Sequence, residues 1–380
     1  MGNLLIKGGT VIDPARNFVG KSDVLIQENQ FVEITPDVPV EVEEVINAAG
    51  YLVTPGLIDN HTHIFYGATE SGFVPDVALL PMGVTTAVDA GSSGTSNCHT
   101  FMRTVVNQSQ MRIFCTLNVS PAGQVTERYP ENLDPRNYDL GMLKELFAQY
   151  NSQVTGLKIR CGEEVVKEFG LDTLKAAVNL AEALECRLTV HTTNPPGNIT
   201  EIASQMRPGD IFCHCYHGKG STIIDAEGKV KRGIWEARRR GVLFDTADAR
   251  VNHSYPVIQA ALAEKFAPDI ISTDLTQASL FGNMVFGLPA VMSRYLSLGV
   301  ELPAVIKACT STPAEINGMK GRLGTLAPGA IADVAIFQLT DKEFLFKNRL
   351  GETFSGNKLL VPKLTILNGK IVFRQIDFPF

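Results

Sequence analysis

Short apolar or β-branched runs recur eight times in the middle of the chain, and segments of helical composition separate several of them. The runs are Leu57–His61, Val84–Asp89, Ile113–Val119, Val154–Arg160, Arg187–His191, Ile211–Cys215, Val242–Asp245 and Ile270–Thr273. The helical segments are Leu140–Tyr150, Thr173–Leu184, Ile234–Arg240 and Tyr255–Lys265. Strands that alternate with helices form right-handed βαβ units and a parallel sheet. Eight strands over about 250 residues predict a (β/α)8 TIM barrel. A doubly wound sheet would want a glycine-rich turn after its first strand, and that position holds His61-Thr62-His63 instead.

The two ends of the chain alternate in the manner of antiparallel strands. Residues 4–53 contain several short alternating runs, and residues 325–375 contain more, with the turn dipeptides Pro328-Gly329 and Asn368-Gly369. We therefore predict that both termini, 1–53 and 325–380, form one small β-sandwich domain. The barrel would then span residues 54–324.

The composition excludes several classes of protein. A hydrophobic content of 44% and a charged content of 19% in 380 residues are those of a folded globular protein. The net charge of −6 predicts no nucleic-acid binding, and no apolar stretch approaches the roughly 20 residues that span a bilayer. The N-terminus lacks the features of a signal peptide, and seven scattered cysteines favour a reducing compartment. We expect a cytoplasmic homo-oligomer acting on a small-molecule substrate.

His61-Thr62-His63 lies at the end of the first predicted strand. Residues i and i+2 of a strand point to the same face, so the two imidazoles would lie side by side, as two ligands of one divalent metal do. Other metal-ligand types occur at the carboxyl ends of later strands, where the functional groups of a barrel lie. They are Lys158 on the fourth strand, His191 on the fifth, His214 on the sixth and Asp274 after the eighth.

This set resembles the amidohydrolase superfamily, in which HxH, a carboxylated lysine, two histidines and an aspartate occupy the same strands. Thr54-Pro55-Gly56-Leu57-Ile58-Asp59-Asn60-His61-Thr62-His63 resembles its most specific signature, and Gly324–Val334 resembles its return strand. His214-Cys215-Tyr216-His217-Gly218 is most similar to the dihydroorotase-like and acylamino-acid deacetylase branch. The resemblance covers the whole chain.

The resemblance implies a site for two divalent metal ions. Zn²⁺ is the expected metal, and Mn²⁺, Fe²⁺ and Co²⁺ also suit nitrogen and oxygen ligands. His61, His63 and Asp274 would hold the more buried ion, and His191 and His214 the more exposed one. Lys158 would bridge the ions as an N6-carboxylated lysine, because a free ammonium has no lone pair with which to ligate. A hydroxide bridging the ions would attack the substrate, and Asp274 would be the catalytic proton acceptor. The alternative for Lys158 is a structural ion pair with Asp274.

Residues near this site are candidates for substrate binding. Arg160 shares the strand face of Lys158 and could clamp a carboxylate, or form a structural salt bridge with a loop acid. Tyr66 and His217 follow candidate metal ligands closely. Ser92 lies in the turn Gly91-Ser92-Ser93-Gly94 after the second strand, whose backbone amides could bind an anion, although the pattern favours a plain loop. Cys213 and Cys215 flank His214, so strand alternation predicts that both face away from the barrel interior, as core residues.

The sequence predicts a hydrolase for an amide or acyl ester of a small carboxylated substrate, such as an N-acyl amino acid or an acyl hydroxy acid. The alternative is cyclic-amide hydrolysis of the dihydroorotase or hydantoinase kind. Dihydroorotases tend to carry an arginine after HxH, where this chain has Ile64-Phe65-Tyr66. A nucleobase deaminase is a weaker alternative, since many lack the lysine bridge. A non-catalytic assembly protein would have lost metal ligands that this chain keeps.

Overall fold

A computed structural model describes residues 3–33, 42–282 and 287–378. Within these ranges the strands fall into two sheets. The strands are β1 Leu4–Asp13, β2 Phe18–Gln27, β3 Gln30–Val32, β4 Glu44–Asn47, β5 Leu52–Pro55, β6 Leu57–Thr62, β7 Val84–Ala90, β8 Arg112–Asn118, β9 Val154–Arg160, β10 Arg187–His191, β11 Ile211–Cys213, β12 Leu243–Asp245, β13 Val334–Lys347, β14 Thr353–Leu367 and β15 Lys370–Arg374.

Most of the helices lie in the middle of the chain, between strands of the second sheet or after them. They are α1 Pro75–Leu79, α2 Cys98–Phe101, α3 Leu140–Gln149, α4 Glu163–Val166, α5 Asp172–Ala183, α6 Ile199–Gln205, α7 Arg232–Arg240, α8 Tyr255–Ala263, α9 Gln277–Phe281, α10 Leu288–Ser297, α11 Leu302–Ala308 and α12 Ser311–Ile316. No helix in the described part of the chain is long and apolar enough to cross a membrane.

Strands β6 to β12 form a parallel sheet in sequence order, and the segment after α8 closes it into a barrel. Ile270 pairs in parallel with Asp245 of β12, and Leu275 pairs in parallel with Thr62 of β6. Asp59 strengthens the closure, because its carboxylate accepts hydrogen bonds from the backbone N of Thr273 at 3.1 Å and from its Oγ1 at 2.6 Å. The predicted TIM barrel is confirmed, although its eighth strand is reduced to single bridges on either side.

The termini form a second, mixed sheet of eight strands in the order β15-β14-β13-β5-β1-β2-β3, with β4 also paired to β1. A separate hydrophobic core, which includes Ile26, Val53 and Ile366, lies within this part of the molecule. The predicted terminal β-domain is thus confirmed as a sheet to which both ends contribute. Its boundaries after residue 53 and before residue 325 stay a prediction.

The terminal sheet is joined firmly to the barrel. Arg112 of β8 contacts Asp333 at 2.8 Å and donates to the Asn368 side chain at 3.0 Å. A second contact lies between β14 and α10, where the backbone N of Leu360 donates to Ser293 Oγ at 2.9 Å. The long β13–β14 hairpin therefore has a fixed position relative to the barrel.

Candidate metal centre

The first barrel strand places His61 and His63 at the centre of the site. Their ring centroids are 5.6 Å apart, and both side chains are buried. Asp274 Oδ1 lies 3.0 Å from His63 Nε2 and 3.5 Å from His61 Nε2. Ligand atoms of these three residues all lie within 4.8 Å of one another, close enough to bind a single ion.

Lys158, His191 and His214 lie beside this group. Lys158 Nζ is 3.3 Å from His61 Nε2, and the ring of His214 lies 5.3 Å from that of His61 and 4.4 Å from that of His191. The structure therefore brings all six predicted ligands together. Lys158 and Asp274, both described, form no ion pair within 4 Å, which argues against the structural alternative for the lysine.

Two of these residues leave their strands in the left-handed backbone conformation. His214 has φ of 63° and follows the short strand β11, and Asp274 has φ of 50° after the closing segment. Residues other than glycine adopt this conformation at a cost and often do so at functional sites. Both side chains are thus aimed by a local change of backbone direction and not by the strand pleat alone.

Three of the four imidazoles, those of His61, His63 and His214, have a partner at Nδ1. Ser92 Oγ lies 2.9 Å from His63 Nδ1, the carbonyl oxygen of Ala247 accepts from His214 Nδ1 at 2.8 Å, and Cys213 Sγ lies 3.1 Å from His61 Nδ1. Such partners fix the ring and leave the other nitrogen free for a cation. His191 Nε2 is buried and has no hydrogen-bond partner among the described residues.

Burial favours the neutral form of three of these imidazoles, those of His61, His191 and His214. It lowers the pKa of His61 and of His191 well below the usual value, and the nearby positive charges of Lys158 and the other histidines add to the effect. Burial also lowers the pKa of His214 to about 3. Burial opposes ionisation of Asp274, but the hydrogen bond from His63 and the surrounding positive charges outweigh it, so its pKa is lowered. Neutral imidazoles beside an ionised carboxylate are what a divalent cation requires.

The six residues line one cavity of about 290 Å³ that opens at the carboxyl ends of the strands. Its remaining walls are mostly polar or charged. They are Gln124, Glu127, Arg160, Glu164, Thr193, Lys219, Ala249, Arg250, Val251, Asn252, Thr276 and Arg349. A polar cavity of this size suits a small charged molecule.

Of the four predicted substrate-binding residues, only Arg160 lines this cavity. Its guanidinium contacts Glu131 at 3.1 Å, which is the salt-bridge alternative. Ser92 is buried behind His63. His217 is buried as well, and Tyr66 lines a separate apolar groove with Phe73 and Phe281. The structure does not bring these three residues to the cavity wall.

The prediction that Cys213 faces away from the barrel interior is wrong. Its sulfur lies 3.1 Å from His61 Nδ1 and 3.9 Å from Lys158 Nζ. The prediction assumed that side chains alternate between the two faces of the strand through His214. Strand β11 ends at Cys213 and His214 has positive φ, so this alternation does not hold there. Cys213, His61 and His214 form a second group whose ligand atoms lie within 4.8 Å of one another.

Two further residues of the site were not predicted. Asn252 Nδ2 donates to Asp274 Oδ2 at 3.0 Å, and Arg349 reaches the cavity from the terminal sheet. Asn252 follows the seventh predicted strand, which was a usable signal for a position near the barrel mouth. Arg349 lies far from any barrel strand in sequence, so no such signal exists for it.

The chemistry of this donor set fits the binding of a divalent metal ion. Four imidazoles and one carboxylate face one space, and the buried His191 Nε2, which has no partner among the described residues, would gain one on ligation. Gly91 leaves room for the Lys158 side chain, because a Cβ at position 91 would lie 2.7 Å from Lys158 Cγ. The lysine stem therefore passes directly over a glycine backbone.

A barrel with this cluster at the carboxyl ends of its strands belongs among the TIM-barrel enzymes. The profile of the amidohydrolase family matches residues 52–372, and the chain is a member of that family. Its relatives include a deacetylase of Brucella anthropi, 31% identical over 88% of this chain and 83% of the relative. A deacetylase of Agrobacterium fabrum is 30% identical over 86% of this chain and 80% of the relative.

Solved structures match almost the entire chain. A structure described as an adenine deaminase superposes with a TM-score of 0.91 and 28% identity, over 99% of this chain and all of the other. A structure described as a dihydroorotase gives a TM-score of 0.89 and 28% identity, over 99% of this chain and 98% of the other. These relatives indicate that the protein is an enzyme and do not agree on one substrate.

Proposed function

We propose that the protein is a metal-dependent deacetylase that cleaves an amide or acyl ester bond of a small carboxylated substrate, an N-acyl amino acid or an acyl hydroxy acid. The observation that carries the proposal is the convergence of His61, His63, Lys158, His191, His214 and Asp274 on one cavity. The deacetylase relatives at about 30% identity support the reaction class.

In this proposal His61, His63 and Asp274 would hold one ion, His191 and His214 would hold the second, and Lys158, as a carboxylated lysine, would serve both. The two cations, when bound, supply a water of lowered pKa and polarise the substrate carbonyl. Zn²⁺ is the metal we propose, since its usual ligands are imidazole nitrogen and carboxylate oxygen.

Asp274 would carry the proton. Its lowered pKa keeps the carboxylate ionised near neutral pH, so one oxygen can accept the proton of the attacking water. The same group would then deliver that proton to the leaving nitrogen or oxygen, giving the free acid and an amine or alcohol. The hydrogen bond from Asn252 to Oδ2 would hold the carboxylate in place during both transfers.

The first test is the metal content per chain of protein grown with zinc, alongside Lys158→Ala. Nearly two equivalents in the parent and a clear fall in the variant would support a lysine-bridged pair. Lys363→Ala is the matched control, because Lys363 is also buried but pairs with Asp377 in the terminal sheet. Parent protein with one equivalent or none, unchanged in Lys158→Ala, would contradict the proposal.

The second test is a substrate panel for the zinc-loaded protein. We expect hydrolysis of N-acetylglycine or acetoxyacetate, and loss of at least about a thousandfold in kcat for Asp274→Asn, as expected when a proton-transfer group is removed. The dihydroorotase neighbour makes cyclic-amide hydrolysis the second candidate. Turnover of dihydroorotate or hydantoin without turnover of acyl compounds would favour it, and turnover of adenine would favour a deaminase.

A further inference from the structure

The β13–β14 hairpin reaches from the terminal sheet to the mouth of the barrel. Glu352, in the turn between the two strands, accepts hydrogen bonds from Ser254 Oγ and from the backbone N of Tyr255, both at 2.8 Å. Tyr255 is the first residue of α8, where a carboxylate also favours the helix dipole. The tip of the hairpin is therefore attached to the barrel.

Asn348 fixes the conformation of the same turn. Its side chain is buried, its Nδ2 donates to the carbonyl oxygen of His253 at 2.9 Å, and its Oδ1 accepts from the backbone N of Leu350 and of Glu352, both at 3.0 Å. Arg349 directly follows Asn348, and its backbone N donates to the carbonyl oxygen of Arg250 at 2.8 Å. The backbone of Arg349 is thus held on both sides while its side chain lines the cavity.

Besides Lys158, four cationic side chains line the cavity, and they differ in their partners. Arg160 pairs with Glu131 at 3.1 Å and Arg250 with Glu127 at 3.2 Å. Within the described ranges, Lys219 and Arg349 have no acidic group within 4 Å. Arg349 is the better placed of these two, since its backbone is pinned and its planar guanidinium can bind a carboxylate through two parallel hydrogen bonds.

We infer that Arg349, supplied by the terminal sheet, is the specificity residue that binds the carboxylate of the substrate at the barrel mouth. The inference rests on the proposed deacetylase function and names the residue that selects acidic over neutral acyl compounds. It assigns to Arg349 the role that the sequence suggested for Arg160, whose guanidinium already has a partner. It also gives the terminal domain a direct part in substrate selection.

The test compares acetoxyacetate with its neutral amide, acetoxyacetamide, as substrates of the zinc-loaded enzyme. Arg349→Met should raise KM for the acid about tenfold and change KM for the amide less than twofold, with kcat nearly unchanged for both. Lys347→Met is the matched control, because Lys347 is an exposed cation of the same hairpin and does not line the cavity. Lys347→Met should leave KM unchanged for both the acid and the amide.

Equal changes for acid and amide in Arg349→Met, or no change for either, would overturn the inference. So would a selective rise in KM for the acid in Arg160→Met that is absent from Arg349→Met. If the parent hydrolyses neither of these compounds nor N-acetylglycine, the proposed function fails and the inference is decided by calorimetry with glycolate and glycolamide. The inference is supported if the parent binds glycolate more tightly than glycolamide and Arg349→Met loses this preference. It is contradicted if the parent shows no preference for glycolate or if the variant keeps it.

Discussion

Asn252 Nδ2 lies 3.0 Å from Asp274 Oδ2, on the side of the carboxylate opposite the histidines. Asn252 Oδ1 in turn accepts from Thr193 Oγ1 at 2.9 Å. Thr193 follows the strand of His191, so a short chain of hydrogen bonds joins the loops that carry two of the candidate ligands. This arrangement restricts rotation of Asp274 and leaves its Oδ1 towards His61 and His63.

Removing this support should slow catalysis without removing the metals. We expect Asn252→Ala to lower kcat by about 10- to 100-fold at an unchanged metal content, since outer partners of metal ligands typically contribute that much. KM should change much less, because Asn252 acts through Asp274. Asn252→Ser, which keeps a donor, should recover part of the loss, and an equal loss in the serine variant would argue against the positioning role.

Cys213 should stabilise metal binding through His61. Its sulfur is the partner nearest to His61 Nδ1, and Asp245 Oδ2 lies farther away, at 3.9 Å. We expect Cys213→Ala to weaken zinc binding about 10- to 100-fold in a chelator competition assay. Cys213→Ser, which keeps a polar partner, should weaken it less.

Cys215 provides the matched control for that experiment. It is equally buried and belongs to the main hydrophobic core. Cys215→Ala should lower the free energy of unfolding by about 1 kcal/mol, as an ordinary core truncation does, and leave zinc affinity unchanged. Equal zinc affinities in both alanine variants and the parent would remove Cys213 from the site.

Short-range sequence patterns predict part of the candidate site, and the rest depends on backbone conformation and long-range packing. The meeting of the six proposed ligands in one cavity could be predicted because strand ends of a barrel meet at one edge and each of these residues lies at or near the end of a short apolar run. Cys213 could not, because the positive φ of His214 interrupts the alternation on which the prediction depended. Arg349 could not either, because its position depends on how a distant hairpin packs onto the barrel.

Arg294 and Asp248 should contribute strongly to stability. Arg294 of α10 forms an ion pair with Asp248, both side chains are almost fully buried, and Tyr295 Oη donates to the same carboxylate at 2.9 Å. Arg294→Met would leave Asp248 buried without its cation and should lower the free energy of unfolding by about 3–5 kcal/mol in urea titrations.

The double variant Asp248→Asn/Arg294→Met should recover part of that loss, because it removes the uncompensated charge. Lys320→Met is the surface control, since it breaks an exposed ion pair with Glu315 and should leave the free energy of unfolding nearly unchanged. A small effect of Arg294→Met, similar to that of the control, would show that water reaches Asp248 in solution.

His253 should make the folded protein sensitive to acid. Its Nδ1 donates to the carbonyl oxygen of Asp248 at 2.8 Å, and its buried Nε2 has no partner among the described residues. Burial, reinforced by the charge of Arg294 and opposed by Asp248 and Glu352, lowers the pKa of His253 to about 4. The folded protein therefore favours the neutral ring, whereas the unfolded chain takes up a proton below about pH 6.5.

The contribution of His253 is fully present above about pH 6.5 and is lost as the pH falls towards 4. His253→Gln keeps a donor for Asp248 and cannot be protonated. Between pH 7 and pH 5, the difference in the free energy of unfolding between parent and variant should shift by about 2 kcal/mol in favour of the variant. Buried His217, whose pKa is also lowered to about 4, is present in both proteins and cancels in this difference. Urea titrations at the two pH values measure the shift, and parallel pH dependences would mean that the His253 ring is protonated equally in the folded and unfolded states.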